Sequence, residues 1–229
     1  MVSAIILAAG RGIRMNNDIR KQYLLLAGRP ISAHTLLVFD DCPFIDKIFL
    51  VIPKEDIEFC HKEILCPLNL QKKVNLVFGG AERQDSVYNG LIAADNAIKD
   101  GIVVIHDAVR PFVSQENIAR CIICAKEFGA CILGIPVPDT IKTVNSSGYI
   151  ENTIKRDTIW LAQTPQVFQY DLIRQAYEYA KRKGYAVTDD ASLVERIGKK
   201  VKVICGSRYN IKITTQEDLL LANAILQQI

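Results

Sequence analysis

The chain has 229 residues, 49% hydrophobic and 23% charged, with 28 Lys and Arg against 25 Asp and Glu. That is enough apolar material for one large core, and the near balance of charge excludes a nucleic-acid or membrane surface built on bulk charge, so any anion affinity must be local. No stretch approaches the roughly 20 apolar residues of a membrane span, and "MVSAIILAAG" has neither the basic start nor the apolar length of a secretion signal.

Ala4–Ala8 reads as a strand that runs into a loop over residues 9–21. This loop holds Gly10 and Gly12, followed by Arg14, Arg20 and Lys21. Glycines leave backbone N–H groups bare, and a forked guanidinium beside a flexible ammonium can wrap a polyphosphate. The spacing Gly10-x-Gly12-x-x-Met15 is not the dinucleotide fingerprint, which needs a third small residue where Met15 stands. That fingerprint also needs an acid closing the next strand, where this chain has Pro53 and Lys54. The Lys-Ser/Thr pair of a P-loop is missing too. Taken alone, the loop is equally a tight turn dressed with solvated charges.

Pro30 starts a helix that continues through about Phe39. "KIFLVI" (47–52) is a buried strand, and "VNLVFGG" (74–80) is another that ends in two glycines. Apolar residues at 87, 91, 94 and 98 mark a helix capped by Asp85 or Ser86. Within "GGAERQDSV" (79–87) the glycines would let backbone approach a flat base, and Ser86 could bond to it; an ordinary strand–helix turn with an N-cap is the weaker alternative. "IVVIHDAVRP" (102–111) is a strand that delivers His106 and Asp107 to its end. An acid there can bind a ribose hydroxyl or a Mg²⁺ that neutralises phosphate, whereas His106 reads as a structural hydrogen-bonder. A helix over about 115–127 and the strand "ACILGIPV" follow.

This alternation predicts an α/β protein: a Rossmann-like three-layer α/β/α fold, one domain over 1–229, with a mostly parallel sheet. Ligands in such sheets bind beyond the carboxyl ends of strands, which singles out loops 9–21, 79–86, 106–111 and 136–140. The rhythm breaks at Pro138. "DTIKTVNSSGYIENTIKRDTIW" alternates polar and β-branched residues about a Ser-Ser-Gly turn and reads as a hairpin. It cannot bury a core alone, so residues 138–158 are expected to form an arm on a second subunit, making a homodimer.

Seven cysteines, at 42, 60, 66, 121, 124, 131 and 205, are an odd count in a chain too long to need staples. Cys121 and Cys124 form a CxxC inside an apolar helical pattern with no second pair, so they read as small reduced core residues, and the cytoplasm is the expected compartment. Three histidines and no G-x-S-x-G leave no covalent nucleophile with its base. The chemistry implied is positioning and electrostatics, as in phosphoryl or nucleotidyl transfer.

Five stretches together resemble one family: "LAAGRGIRM…KQYL", "GGAERQDSV", "HDAVRP", "KRDTIW" with "TPQ", and "TDDAS…NIKIT". They are similar, nearly end to end, to the 2-C-methyl-D-erythritol 4-phosphate cytidylyltransferases of non-mevalonate isoprenoid biosynthesis. The resemblance implies a nucleotidyltransferase fold, CTP and methylerythritol 4-phosphate as substrates, pyrophosphate as leaving group and Mg²⁺ as cofactor. It makes Arg14 and Lys21 the pair that stabilises charge at the α-phosphate. Ala8, Ala9, Gly80 and Ser86 match cytidine contacts, with Gly10, Gly12 and Ala108 completing the nucleotide set. Asp107 matches the ribose or metal residue. Thr140, Arg156 and Lys212 match residues that hold the acceptor, Arg156 reaching across from the partner's arm. Thr164 and Thr188 match polar residues of the nucleotide site near the acceptor pocket. Two positions depart from the pattern: Ala81 where many relatives carry Asp, and Arg20 where Pro is common. Ribitol-5-phosphate cytidylyltransferases share several of these motifs, but "KRDTIWLAQTPQ" favours the methylerythritol enzymes.

Overall fold

Alternate residues of the first strand, β1 (Val2–Leu7), part to opposite sides of a sheet, as the period of an extended chain requires. Ala4 and Ile6 enter one core, while Ile5 enters the other. The computed structural model describes residues 1–10, 19–98 and 100–228, and of 96–98 the backbone only. A short ribbon, β2 (Leu25–Leu26) and β3 (Arg29–Pro30), precedes α1 (Ile31–Asp40), so Pro30 sits just before the helix rather than in its first turn. β4 (Lys47–Ile52), a short helical stretch α2 (Ile57–Phe59) and β5 (Val74–Phe78) follow. Next come α3 (Arg83–Ile98), β6 (Ile102–Asp107), α4 (Gln115–Phe128) and β7 (Ala130–Pro136).

α3 begins two residues before the expected cap. Asp85 therefore lies inside the first turn, where its carboxylate accepts the N–H of Glu82 at 3.1 Å. Ser114, by contrast, caps α4 by accepting the Asn117 N–H at 3.2 Å. The hairpin forms as its own two-stranded sheet of β8 (Ile141–Val144) and β9 (Ile150–Ile154). At its tip the Asn145 side chain accepts the N–H groups of Ser147 and Tyr149, and Gly148 takes a φ of +87°. Beyond it lie β10 (Trp160–Gln169), α5 (Tyr170–Lys183), α6 (Ala191–Arg196), β11 (Lys202–Cys205) and α7 (Gln216–Leu226).

The main sheet has seven strands in the order β11-β7-β10-β6-β1-β4-β5. All neighbours are parallel except β10, which the hairpin returns antiparallel between β6 and β7. From β1 the chain builds outward through β4 and β5, then crosses to the other side of β1 for β6. The β1/β6 border is thus the switch point at which open α/β sheets leave a crevice. The face carrying Ala4, Ile6, Ile48, Leu50 and Val104 meets Leu36, Phe39 and Ile118 of α1 and α4. The other face, with Ile5, Val51, Val103 and Ile105, meets α3, α5 and α6 through Leu91, Tyr177 and Leu193. Cys42, Cys60, Cys121 and Cys131 are buried in the first core as free thiols. Among the described residues no helix is long and apolar enough to cross a membrane.

Candidate active site

At the switch point the carboxyl ends of β1, β5 and β6 open into a cavity of about 590 Å³. Its wall starts with Leu7, Ala8, Ala9 and Gly10, where the buried strand runs out. The Gln22 amide holds this exit by donating to the carbonyls of Ala8 at 2.6 Å and Gly10 at 3.1 Å. Lys21, one residue earlier on a single 3₁₀ turn, also lines the cavity. Gly12 and Arg14 lie outside the described residues.

The second wall needs glycine for want of space. A Cβ on Gly79 would stand 2.4 Å from that of Ala9, and one on Gly80 2.2 Å from that of Asp85. The Gly80 N–H donates to Ser86 Oγ at 3.1 Å, and the Ser86 hydroxyl donates to the Glu82 carbonyl at 3.1 Å. The result is a flat, bare edge flanked by Ala81, Glu82 and Arg83. Ala81 brings no polar side chain to it.

Asp107 forms the floor, its side chain only 8% exposed. Lys212 Nζ lies 3.0 Å from its Oδ2, Arg110 Nε 3.5 Å from the same oxygen, and Arg83 Nε 3.5 Å from Oδ1. Burial pushes the Asp107 carboxyl up, but Lys212 first, then Arg83 and Arg110, outweigh it and hold the group well below the usual carboxylate range. Its backbone N–H donates to Thr164 Oγ1 at 3.1 Å. The Thr164 hydroxyl meets His106 Nδ1 at 3.0 Å, and His106 Nε2 meets the Arg110 carbonyl at 3.0 Å. Satisfying all three bonds makes His106 the neutral tautomer protonated at Nε2, in accord with a ring that burial pushes down to about 4. Asn210 extends the floor by donating to the Thr164 carbonyl at 2.8 Å.

Lys212 reaches the floor because Ile213 is fixed twice. Its N–H donates to the Val109 carbonyl at 2.9 Å, and its side chain is buried with Leu26, Val109 and Ala222. Thr215 and Asp218 then close a capping box on α7.

The cavity thus gathers Ala8, Ala9, Gly10, Lys21, Gly80, Ser86, Asp107 and Lys212 of the expected residues. Thr164 and the fully buried Ala108 stand behind the floor rather than in the lining. Thr140, Arg156 and Thr188 are exposed and outside it; Arg156 Nη1 donates to the Pro138 carbonyl of its own hairpin at 2.5 Å. Three groups of the site escape sequence reasoning. Gln22, Arg83 and Asp190 lie inside stretches quoted above for the resemblance, but nothing in local pattern separates a polar side chain that props a wall from one in solvent. The Arg20 guanidinium turns away from the cavity, to Glu55 at 2.5 Å and Asp56 at 2.8 Å.

What the geometry offers is a bare backbone edge that suits a planar base, and cations beside one ionised carboxylate that suit phosphates. Among the described residues no group of three or more His, Cys, Asp or Glu is placed to hold a metal. A family model described as 2-C-methyl-D-erythritol 4-phosphate cytidylyltransferase matches residues 2–228. Proteins of that name from Geotalea uraniireducens and Syntrophus aciditrophicus are 48% and 49% identical, the alignments covering 100% and 99% of this chain and 97% and 96% of theirs. The crystal structure of 4-diphosphocytidyl-2C-methyl-D-erythritol synthase from Anaerococcus prevotii superposes with a TM-score of 0.84 at 38% identity, covering 99% of this chain and 96% of that one. With that family model spanning residues 2–228 and a relative of that name 48% identical over the whole chain, the chain belongs to the 2-C-methyl-D-erythritol 4-phosphate cytidylyltransferase family.

Proposed function

We propose that this chain transfers the cytidylyl group of CTP to 2-C-methyl-D-erythritol 4-phosphate in non-mevalonate isoprenoid biosynthesis. The observation that carries this reading is one cavity in which Arg83 and Lys212 contact Asp107, with Lys21 and the bare edge at Gly80 in the same lining. An oxygen of the acceptor phosphate attacks the α-phosphorus, the bond to the β-phosphate breaks, and pyrophosphate leaves with that electron pair. The attacking oxygen is already anionic near neutral pH, so no general base is needed, which accords with a neutral, fully hydrogen-bonded His106.

The barrier is electrostatic, because one anion must approach another. Lys21 and Arg14 are the cations of this reading that meet the charge growing on the α-phosphate oxygens. Lys212, an ammonium with further N–H groups beyond the one facing Asp107, aligns the acceptor phosphate. The edge of Ala8, Ala9, Gly80 and Ser86 reads the cytosine. Its fixed backbone groups would be left unpaired by uracil, and unpaired buried groups discriminate strongly.

Asp107 offers one carboxylate to a metal. That suits Mg²⁺, which is commonly held by one or two carboxylates together with substrate phosphates. Such an ion would supply neutralisation of the phosphate charge. We further read the active form as a cytoplasmic homodimer in which the partner's hairpin brings Arg156 and Thr140 to the acceptor. Turnover of CTP with methylerythritol phosphate, ribitol phosphate and no acceptor, with UTP as control, tests the assignment. Pyrophosphate release only with CTP and the methylerythritol acceptor is expected; equal use of ribitol phosphate, or of UTP, overturns it.

A further inference from the structure

Arg83 lines the cavity, yet the transfer just described assigns it no task. It is the first residue of α3, and its guanidinium is committed elsewhere. Nη1 and Nη2 fork onto Asp190 Oδ1 and Oδ2 at 3.0 and 2.8 Å, while Nε is turned to Asp107. Asp190 is wholly buried, and Tyr177 of α5 donates to its Oδ1 at 2.5 Å. The Asp190 and Ala191 N–H groups donate to Gln166 Oε1 on β10 at 3.1 and 2.9 Å. Gln166 in turn donates to Asp189 at 2.9 Å. A carboxylate so buried is tolerated only when paired and hydrogen-bonded, and here Arg83 of α3 meets the first condition and Tyr177 of α5 adds to the second.

A phosphate clamp presents its guanidinium fork to the ligand. Arg83 presents the fork to the protein and spans from the floor carboxylate to the 188–190 segment. We propose that Arg83 is a positioning residue, a strut between Asp190 and Asp107 that fixes the Asp107 carboxylate and the segment carrying Thr188 relative to each other before substrates bind. This rests on the cytidylyl-transfer reading for what is being positioned. The strut itself follows from the bidentate geometry, which lysine cannot reproduce although it keeps the charge.

The test uses the full chain. In Arg83→Lys, kcat is expected to fall on the order of 10- to 100-fold, because small misplacements of aligned groups are costly. KM for CTP is expected to stay within about threefold, since the base edge and Lys21 are untouched. Asp190→Asn should give a similar loss, and the two combined should be no worse than either, since both cut one strut. Arg83→Met with Asp190→Asn leaves no lone buried charge and serves if the single variants do not fold. Hydrogen exchange across residues 185–192 is expected to accelerate in every variant while β1 and β6 stay protected. The inference is overturned if Arg83→Lys keeps kcat within about threefold, if the loss sits in KM for CTP alone, if the losses multiply, or if exchange at 185–192 is unchanged. Accelerated exchange at 185–192 in the variants, together with a wild-type enzyme that does not turn over CTP with this acceptor, would instead sink the functional reading and leave the strut standing.

Discussion

In the cavity floor the Asp107 side chain is 8% exposed, its N–H is bonded to Thr164, and cations from α3, the 108–113 loop and the 206–215 segment hold its oxygens. In the hairpin, residues 144–153 are all exposed, with Val144, Tyr149 and Ile150 at 54%, 71% and 62%. One region is over-determined by its own chain, and the other is backbone pairing with exposed apolar residues that no described residue covers. A charge in the floor is therefore oriented before any ligand arrives, which is the condition under which electrostatics lowers a barrier most. A charge on the hairpin, such as Arg156, is exposed and held by a hydrogen bond to the Pro138 carbonyl of the hairpin itself rather than by a buried frame. On our reading the first region supplies preorganisation and the second supplies reach.

The largest expected effect breaks the cavity's side of this contrast. Lys21→Ala should lower turnover by a factor on the order of 10²–10³ while leaving CTP affinity within about tenfold, because its charge matters most as charge grows during attack. Single-turnover rates together with calorimetric CTP binding separate the two quantities. A fall of less than about tenfold would reduce Lys21 to one more cation in the wall.

The hairpin's side is sharpened by mixing Lys21→Ala with Arg156→Ala after subunit exchange. If Arg156 serves the neighbouring subunit, a mixed dimer contains one site with both residues intact and regains up to about half the activity of the wild-type dimer. Exchange demonstrated by mass with no recovery would place Arg156 in its own chain's service. Sedimentation on its own would report a dimer but not whose site the residue completes.

How far the sequence led follows the same division. β1, β4, β5, β6 and β7 are legible because buried parallel strands are short apolar runs, and their loops carry glycines and charges where the sheet places a site. The hairpin is legible from β-branched alternation about Asn145–Gly148. β10 is harder to read: "LAQTPQVFQ" is polar where it props Asp107 and Asp190, so Thr164 and Gln166 interrupt the apolar pattern. α5 carries Tyr177 inward through residues that read as surface-like. The Arg83–Asp190 pair joins residues 107 positions apart, and no local spacing encodes such a contact.

His106 offers a smaller effect on the same contrast, this time in stability. Its folded pKa is depressed, so its contribution is fully present above the unfolded value near 6.5 and is lost as pH falls toward about 4. In that window the unfolded chain takes up a proton that the buried ring refuses, which removes on the order of 2–3 kcal/mol by pH 4.5. Asp107, also depressed, loses its contribution only at more acid pH, below the ordinary carboxylate value. Urea unfolding from pH 7.5 to 4.5 should therefore show a shallower loss in His106→Asn than in the wild type. Equal slopes would mean that another group sets the acid sensitivity.

Arg20 gives the smallest effect and tests where the floor's rigidity ends. Its backbone sits at φ −62° and ψ 139°, immediately before the 3₁₀ turn that presents Lys21. Its side chain is 23% exposed and bridges Glu55 and Asp56, next to the packed rings of Tyr23 and Phe59. A partly exposed pair of this kind contributes roughly 0.5–1 kcal/mol. Arg20→Ala should then lower Tm by about 1–4 °C and turnover no more than about threefold, the ion pair steadying a turn that Gln22 already anchors. Arg20→Pro meets a φ that proline adopts without strain. It would forgo the ion pair but restrict the unfolded chain by a compensating 0.4–1 kcal/mol or so, leaving Tm near the wild-type value. A proline variant that fell as far as the alanine variant would show that the ion pair, and not the shape of the backbone, sets the turn before Lys21.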